Sequence, residues 1–260
     1  FKVNKDNTFL KFFNKIDNNL YLADNKVTVD EDLFIPSGMN IVIKPNQKLY
    51  LINSSFIMSK SPWFADGSNG EIIISGFANN NGGGLMISNT DKESYFNNVK
   101  FSNLNGYHSN KEFIIHGGIN FYKTKVFLKN ITFEKMFSED AINIVNSNFN
   151  INYVNFIDTK HDSIDFDFSN GNLNHAKFIN TDNDAIDFSG SNADITNLYF
   201  EKIGDKSISV GENSIINISN VKAFQSYVGI ASKDGSTVNA KKIYMTDVKL
   251  PFISFNKKNE

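Results

Sequence analysis

Apolar side chains return to the same place every 22 or 23 residues through the second half of this chain. Ile119, Ile142, Ile164, Ile186, Ile208, Ile230 and Phe252 are separated by 23, 22, 22, 22, 22 and 22 residues. Leu128, Ile151, Leu173, Ile195, Ile218 and Ala240 form a second column, stepping by 23, 22, 22, 23 and 22. A third column (Ile131, Val154, Ala176, Leu198, Val221, Ile243) and a fourth (Phe133, Phe156, Phe178, Phe200, Ala223, Met245) take the same steps. A fixed period of this length marks a solenoid, in which each repeat buries its apolar side chains against the next.

Inside each repeat the apolar residues alternate with polar ones, as in Ile164-x-Phe166 and Ile186-x-Phe188. Alternation with period two describes short strands with one buried face, and the absence of a 3.6-residue period excludes helical solenoids. Between the strands stand Asn146-Ser147-Asn148, Ser169-Asn170-Gly171 and Ser189-Gly190-Ser191. Asn, Gly and Ser accept left-handed backbone and bond their own turns. The chain carries about 40 Asn and 25 Phe but only 4 Pro, a palette of strands and turns. The expected fold is all-β: a single-stranded parallel β-helix of about 22 residues per turn, with three short strands per turn. Parallel crossovers favour a right-handed path.

Upstream the period loosens while the texture persists. Leu33–Ile35, Ile41–Ile43, Leu49–Leu51, Phe56–Met58, Ile72–Ile74, Leu85–Ile87 and Val99–Phe101 read as strands, with loops over 65–70 and 78–84. Phe9, Leu10, Phe13 and Ile16 have the spacing of a helical apolar face. A short helix there would cap an open solenoid end. The expected organisation is a cap over 1–30, a β-helix over 31–255 and a frayed tail over 256–260.

The Asp-Ala-Ile-Asp-Phe type turns at 140–144, 162–166 and 184–188 resemble those of the right-handed parallel β-helix superfamily, the scaffold of pectate lyases, polygalacturonases and alginate epimerases. The resemblance covers about residues 33–255. More narrowly, 204–212 and 229–236 are similar to β-helix domains attached to spore-coat-kinase-like (CotH) proteins. The narrower likeness implies a downstream module of a longer surface protein, with a covalently joined N-terminal partner domain; a first residue of Phe1 rather than Met agrees with that expectation. It also implies a secreted, cell-surface or periplasmic location.

A net charge of −2 with no basic block argues against nucleic acid as the partner. No apolar run reaches the roughly 18 residues of a membrane span. With no Cys there are neither disulfides nor thiolate metal sites. All 26 Lys+Arg residues are Lys, so no guanidinium fork is available.

The apolar columns also tell which residues point outward. With Ile142, Ile164, Ile186 and Ile208 inside, the following positions face solvent: Asn143, Asp165, Asp187 and Ser209, then Ala231. Two residues on, the outward column reads Val145, Asp167, Ser189, Gly211, Lys233. Asp140, Asp162, Asp184 and Lys206 precede the strands, where an Asp caps turn backbone. Asp is a poor strand residue, and equivalent positions lie about 4.8 Å apart on adjacent turns. Stacking Asp165 on Asp187 therefore needs a remedy: a Ca²⁺ ion held by Asp165, Asp167 and Asp187, the ammonium groups of Lys206 and Lys233, or a shared proton. The last is what acid/base catalysis uses.

His161, Asp162, Asp165, Asp167, Asp184, Asp187, Lys206 and Lys233 thus form one face of mixed charge, suited to an extended polymer. Tyr199 and Tyr244 alternate with lysines on another face, where rings beside cations can stack sugars. Three readings stay open. The first is a surface or secreted module that recognises polysaccharide through the acidic and Lys face. The second is a carbohydrate-active enzyme: a hydrolase with Asp165 and Asp187 as acid and base, or a lyase or epimerase. The resemblance implies an Arg base for a lyase, and here Lys206 or Lys233 would have to replace it. The third is a purely structural module.

Overall fold

The computed structural model describes residues 7–108 and 114–257. They form a parallel β-solenoid of about 10 turns at ~22 residues per turn. The repeat period is also the pairing register. Asp140–Val145 lies on Asp162–Asp167 with Ile142 opposite Ile164 and Asn143 opposite Asp165, and the next coil continues with Ile164 opposite Ile186 and Asp165 opposite Asp187. A 22-residue step thus returns each side chain to the same face, one rung along.

Three faces wrap the core. One is built from Asp140–Val145, Asp162–Asp167, Ile186–Ser189 and the C-terminal ends of Asn192–Gly211, Ile215–Lys233 and Thr237–Phe255. Strands Lys125–Met136, Asn148–Thr159 and Asn170–Thr181 supply the other two faces, each bending twice, the second time at Lys135, Asp158 and Asn180 near its end. The first bend is a single residue in left-handed conformation (Asn130, Tyr153, His175, Asn197, Asn220, Lys242; φ 54–59°) that drops out of the ladder while pairing resumes on either side. Asn adopts this conformation more readily than other residues with a Cβ, which accounts for part of its abundance. Two of these six first bends, however, carry Tyr or Lys.

The core is a set of stacks. Phe101, Phe133, Phe156, Phe178 and Phe200 are fully buried, with successive ring centroids 5.1, 4.8, 4.9 and 4.9 Å apart. Phe166 and Phe188 stack at 4.8 Å beneath the first face. At the corner after that face a serine ladder runs through the interior. The backbone N–H groups of Ser147, Ser169 and Ser191 donate to the Oγ of Ser169, Ser191 and Ser214 at 3.1, 2.9 and 2.9 Å.

The strands expected between 33 and 101 are all present, although the loop after Trp63 starts later, because Trp63–Asp66 is itself a strand. The expected N-terminal helix is not. Thr8–Lys11 makes one 3-10 turn, and Phe13–Ile16 then pairs antiparallel with Asn19–Leu22 through a bend at Asp17 (φ 52°). The helical spacing misleads because only Phe9 and Phe13 are buried, whereas Leu10 and Ile16 are exposed. Asn19–Leu22 also pairs parallel with Asn40–Ile43, so the hairpin covers the edge that a helix was expected to cap. In the expected frayed tail, residues 258–260 lie outside the described residues.

Candidate functional site

Two positions in three successive coils build an acidic face. Strand alternation turns Asn143, Asp165 and Asp187 outward, half-buried, over the buried Ile and Phe columns, whereas Ser209 and Ala231, expected to face solvent from the same column, are fully buried. Asp140, Asp162 and Asp184 occupy the rung starts, and two of them bond the next coil. Asp162 Oδ1 accepts the Asp184 N–H at 2.9 Å and Asn183 Nδ2 at 2.6 Å; Asp184 Oδ1 accepts the Lys206 N–H at 2.9 Å. These carboxylates therefore serve backbone and site at once. Asn143 Nδ2 lies between Asp165 Oδ2, at 3.0 Å, and Asp140 Oδ2, at 3.3 Å.

Six aspartates share this face with two lysines. Like charges one rung apart repel by roughly 3 kcal/mol at an effective dielectric of about 20, and partial burial compounds the cost. The carboxyls respond by holding protons. Burial, then the Asp162 charge, pushes Asp140 up to about 8. Burial, then Asp184, pushes Asp162 up to about 7 against the Asp184 N–H bond. Asp165 is held well above the ordinary range by burial and by Asp140, Asp167 and Asp187. Burial also raises Asp167, opposed by Asn143 and reinforced by Asp187. In Asp184 burial outweighs the Lys206 ammonium, so its carboxyl too is raised.

The lysines close the far side. Lys206 Nζ is 3.2 Å from Asp184 Oδ1 and pairs with Asp205. Burial would lower it, but Asp205 and Asp184 outweigh burial and hold its pKa above the ordinary value. Lys233 comes from two coils beyond Asp187. Its stem crosses Gly211, where an added Cβ would stand 3.3 Å from Cε, and its Nζ reaches 3.6 Å from Asp187 Oδ1. Lys233 is only 7% exposed, so its charge is committed to this face. Asp187 Oδ1 and the fully buried Ser209 Oγ, on adjacent rungs, make no hydrogen bond.

The structure thus gathers Asp162, Asp165, Asp167, Asp184, Asp187, Lys206 and Lys233, with His161 exposed at the corner before Asp162. Oxygens of Asp162, Asp184 and Asp187 all lie within 4.8 Å of one another, a grouping that can hold a metal ion; of the trio expected for Ca²⁺, it includes Asp187. Tyr199 and Tyr244 stand apart, on the strand column running through 198–203 and 243–248. There Tyr199 donates to Glu201 Oε2 at 2.7 Å, and Lys177 Nζ sits 5.2 Å from its ring centre.

Sequence reasoning passed over Asn143 and Ser209 as site residues, although both stand in the outward column. It also passed over Asp140, read as a cap, and the hydrogen-bonded His116 and Glu139 at the corner beside it. The register alone could have found the first three.

No protein-family model matches the chain, and no curated protein matches it. Among solved structures it is similar to the Streptococcus pneumoniae surface protein and adhesin PfbA. One PfbA structure aligns at 12% identity and a TM-score of 0.24 over 92% of each chain. A second aligns at 11% and 0.27, over 91% of this chain and 85% of that one. The Agl-KA catalytic domain aligns at 9% and 0.23, over 91% of this chain and 60% of that one. Likeness of this degree assigns no function.

Proposed function

We propose that the chain is a secreted or cell-surface module that recognises polysaccharide through the acidic face and its two lysines. The observation carrying this reading is the face's repetition. The half-buried Asn143, Asp165 and Asp187 present polar groups in one column on three successive rungs, backed by the buried Asp140 and Asp184, so a polymer lying across the rungs meets one set of partners again and again. Carboxyl groups and an amide suit sugar hydroxyls. Carboxyls that hold protons both donate to and accept from hydroxyls, which favours neutral or amine-bearing glycans. Among the described residues no helix is long and apolar enough to cross a membrane.

One observation favours a catalytic reading beside it. A carboxyl raised to about 7, as in Asp162, is partly protonated at neutral pH and can protonate a glycosidic oxygen while a neighbouring carboxylate acts as base or nucleophile. Lyase chemistry fits less well, because ion-paired Lys206 keeps its proton. Size-exclusion chromatography of neutral, amine-bearing and uronate polysaccharides incubated with the protein separates these readings. Early co-elution of protein with intact polymer is expected. Polymer shortening that disappears in Asp165→Asn would establish the enzyme instead, and no change with any glycan would leave a structural module.

A further inference from the structure

A second cleft opens at the corner where the acidic face ends, and its chemistry is the reverse. It measures about 470 Å³ and is lined in part by Lys92, Lys123, Lys125, Asp91, Asn170 and Phe168, a size within the roughly 300–1,000 Å³ of small-ligand sites. Lys92, Lys123 and Lys125 are exposed around it, with Asp91 the one acid in its lining. Lys123 Nζ rests 5.1 Å from the ring centre of Tyr122, and Lys92 Nζ is 3.4 Å from Asn40 Oδ1.

Phe168 is the anomaly. It is 59% exposed and has a φ of +49°, a conformation that is a true outlier for a bulky residue. The equivalent corners of the other coils are left-handed as well, at Asn89, Lys123, Asn146, Gly190, Glu212 and Asp234, and none of those carries an aromatic ring. Phe168 thus carries backbone strain and an exposed apolar ring where Asn or Gly would serve the fold. Its ring lies against Gly190, whose absent Cβ would fall 2.5 Å from a ring carbon. The ring thus rests on the Gly190 backbone while most of its surface stays exposed. An exposed aromatic kept in a strained conformation at a corner that other coils fill with polar residues or Gly points to a binding role.

We propose that this cleft binds an acidic saccharide unit. The sugar ring stacks on Phe168, its anionic substituent sits among the lysines, and Asn170 meets its hydroxyls. The basic lining selects the anion, and the supported aromatic selects a ring with an apolar face. This site does not depend on the acidic face.

The test is calorimetric titration of the protein with oligogalacturonate and with a sulfated heparin oligosaccharide, using cellohexaose as the uncharged control. The wild type is expected to bind at least one acidic probe at least 10-fold more tightly than cellohexaose. Phe168→Asn is expected to weaken that binding at least 10-fold while leaving the melting temperature equal or higher; Lys123→Ala with Lys125→Ala should weaken it similarly. Asp165→Asn with Asp187→Asn should leave it intact. Failure of both acidic probes to bind, or full affinity in Phe168→Asn, would overturn the proposal. So would a loss confined to the lysine variant, which would mean unspecific charge attraction.

Discussion

At the scale of single residues, the acidic face gives the protein an unusual dependence on pH. Asp140 and Asp162 titrate near 8 and 7 when folded, against an unfolded value near 4. Between those limits the folded chain binds more protons than the unfolded chain, so stability falls as pH rises. The contribution is complete below about pH 4 and lost above about pH 8. Asp66 works in the opposite sense: its hydrogen bond from Asn97 lowers its pKa, and the stability it lends disappears only in acid. Melting temperatures measured from pH 5 upward therefore isolate the site. They are expected to be higher at pH 5 than at pH 8.5, and Asp140→Asn with Asp162→Asn should flatten the slope. Asn keeps the Oδ1 that accepts the Asp184 N–H and removes the charge. An unchanged slope in the double variant would place the titrating groups elsewhere.

At the scale of elements, the serine ladder shows why small polar residues recur at one corner. Ser191 is fully buried; its Oγ lies 2.9 Å from the Phe166 carbonyl and accepts the Ser169 N–H at 2.9 Å. Ser191→Ala keeps the shape but strands that N–H, and a buried donor without a partner costs about 1–3 kcal/mol. Urea unfolding is the measurement, and a change within experimental error would mean that water replaces the hydroxyl. The strands and their register were readable because period two within a coil and period 22 between coils leave one arrangement that buries the Ile and Phe columns in every coil but the last, where Phe252 is exposed. That is also why Asp165 could be placed beside Asp187 from spacing alone. The bend at Tyr153 was not readable, since a bulky aromatic disfavours a left-handed backbone; in the fold its ring stacks on that of His175, at the next bend, with centroids 4.6 Å apart. Nor was the N-terminal hairpin, because i, i+4 spacing and a turn at Asp17 compete in one short segment.

At the scale of the molecule, the period turns one local motif into an extended surface. Three coils place six carboxyls on one side; contacts that skip a coil complete it, as when Lys233 passes Gly211 to reach Asp187. Such contacts escape a reading of columns, which sees each rung beside its neighbour but not a long side chain lying across two. The same corner that ends the acidic face opens the basic cleft at Phe168, so opposite charges stand on adjoining surfaces. The central claim is that the acidic face is where a glycan binds. Its most direct test is binding of the wild type and of Asp165→Asn with Asp187→Asn to an immobilised array of neutral, amine-bearing and acidic glycans, with both proteins shown to be folded. The expected result is wild-type binding to a neutral or amine-bearing polymer, weakened at least 10-fold in the double variant. Equal binding by both proteins, or wild-type binding to acidic glycans alone, would contradict it.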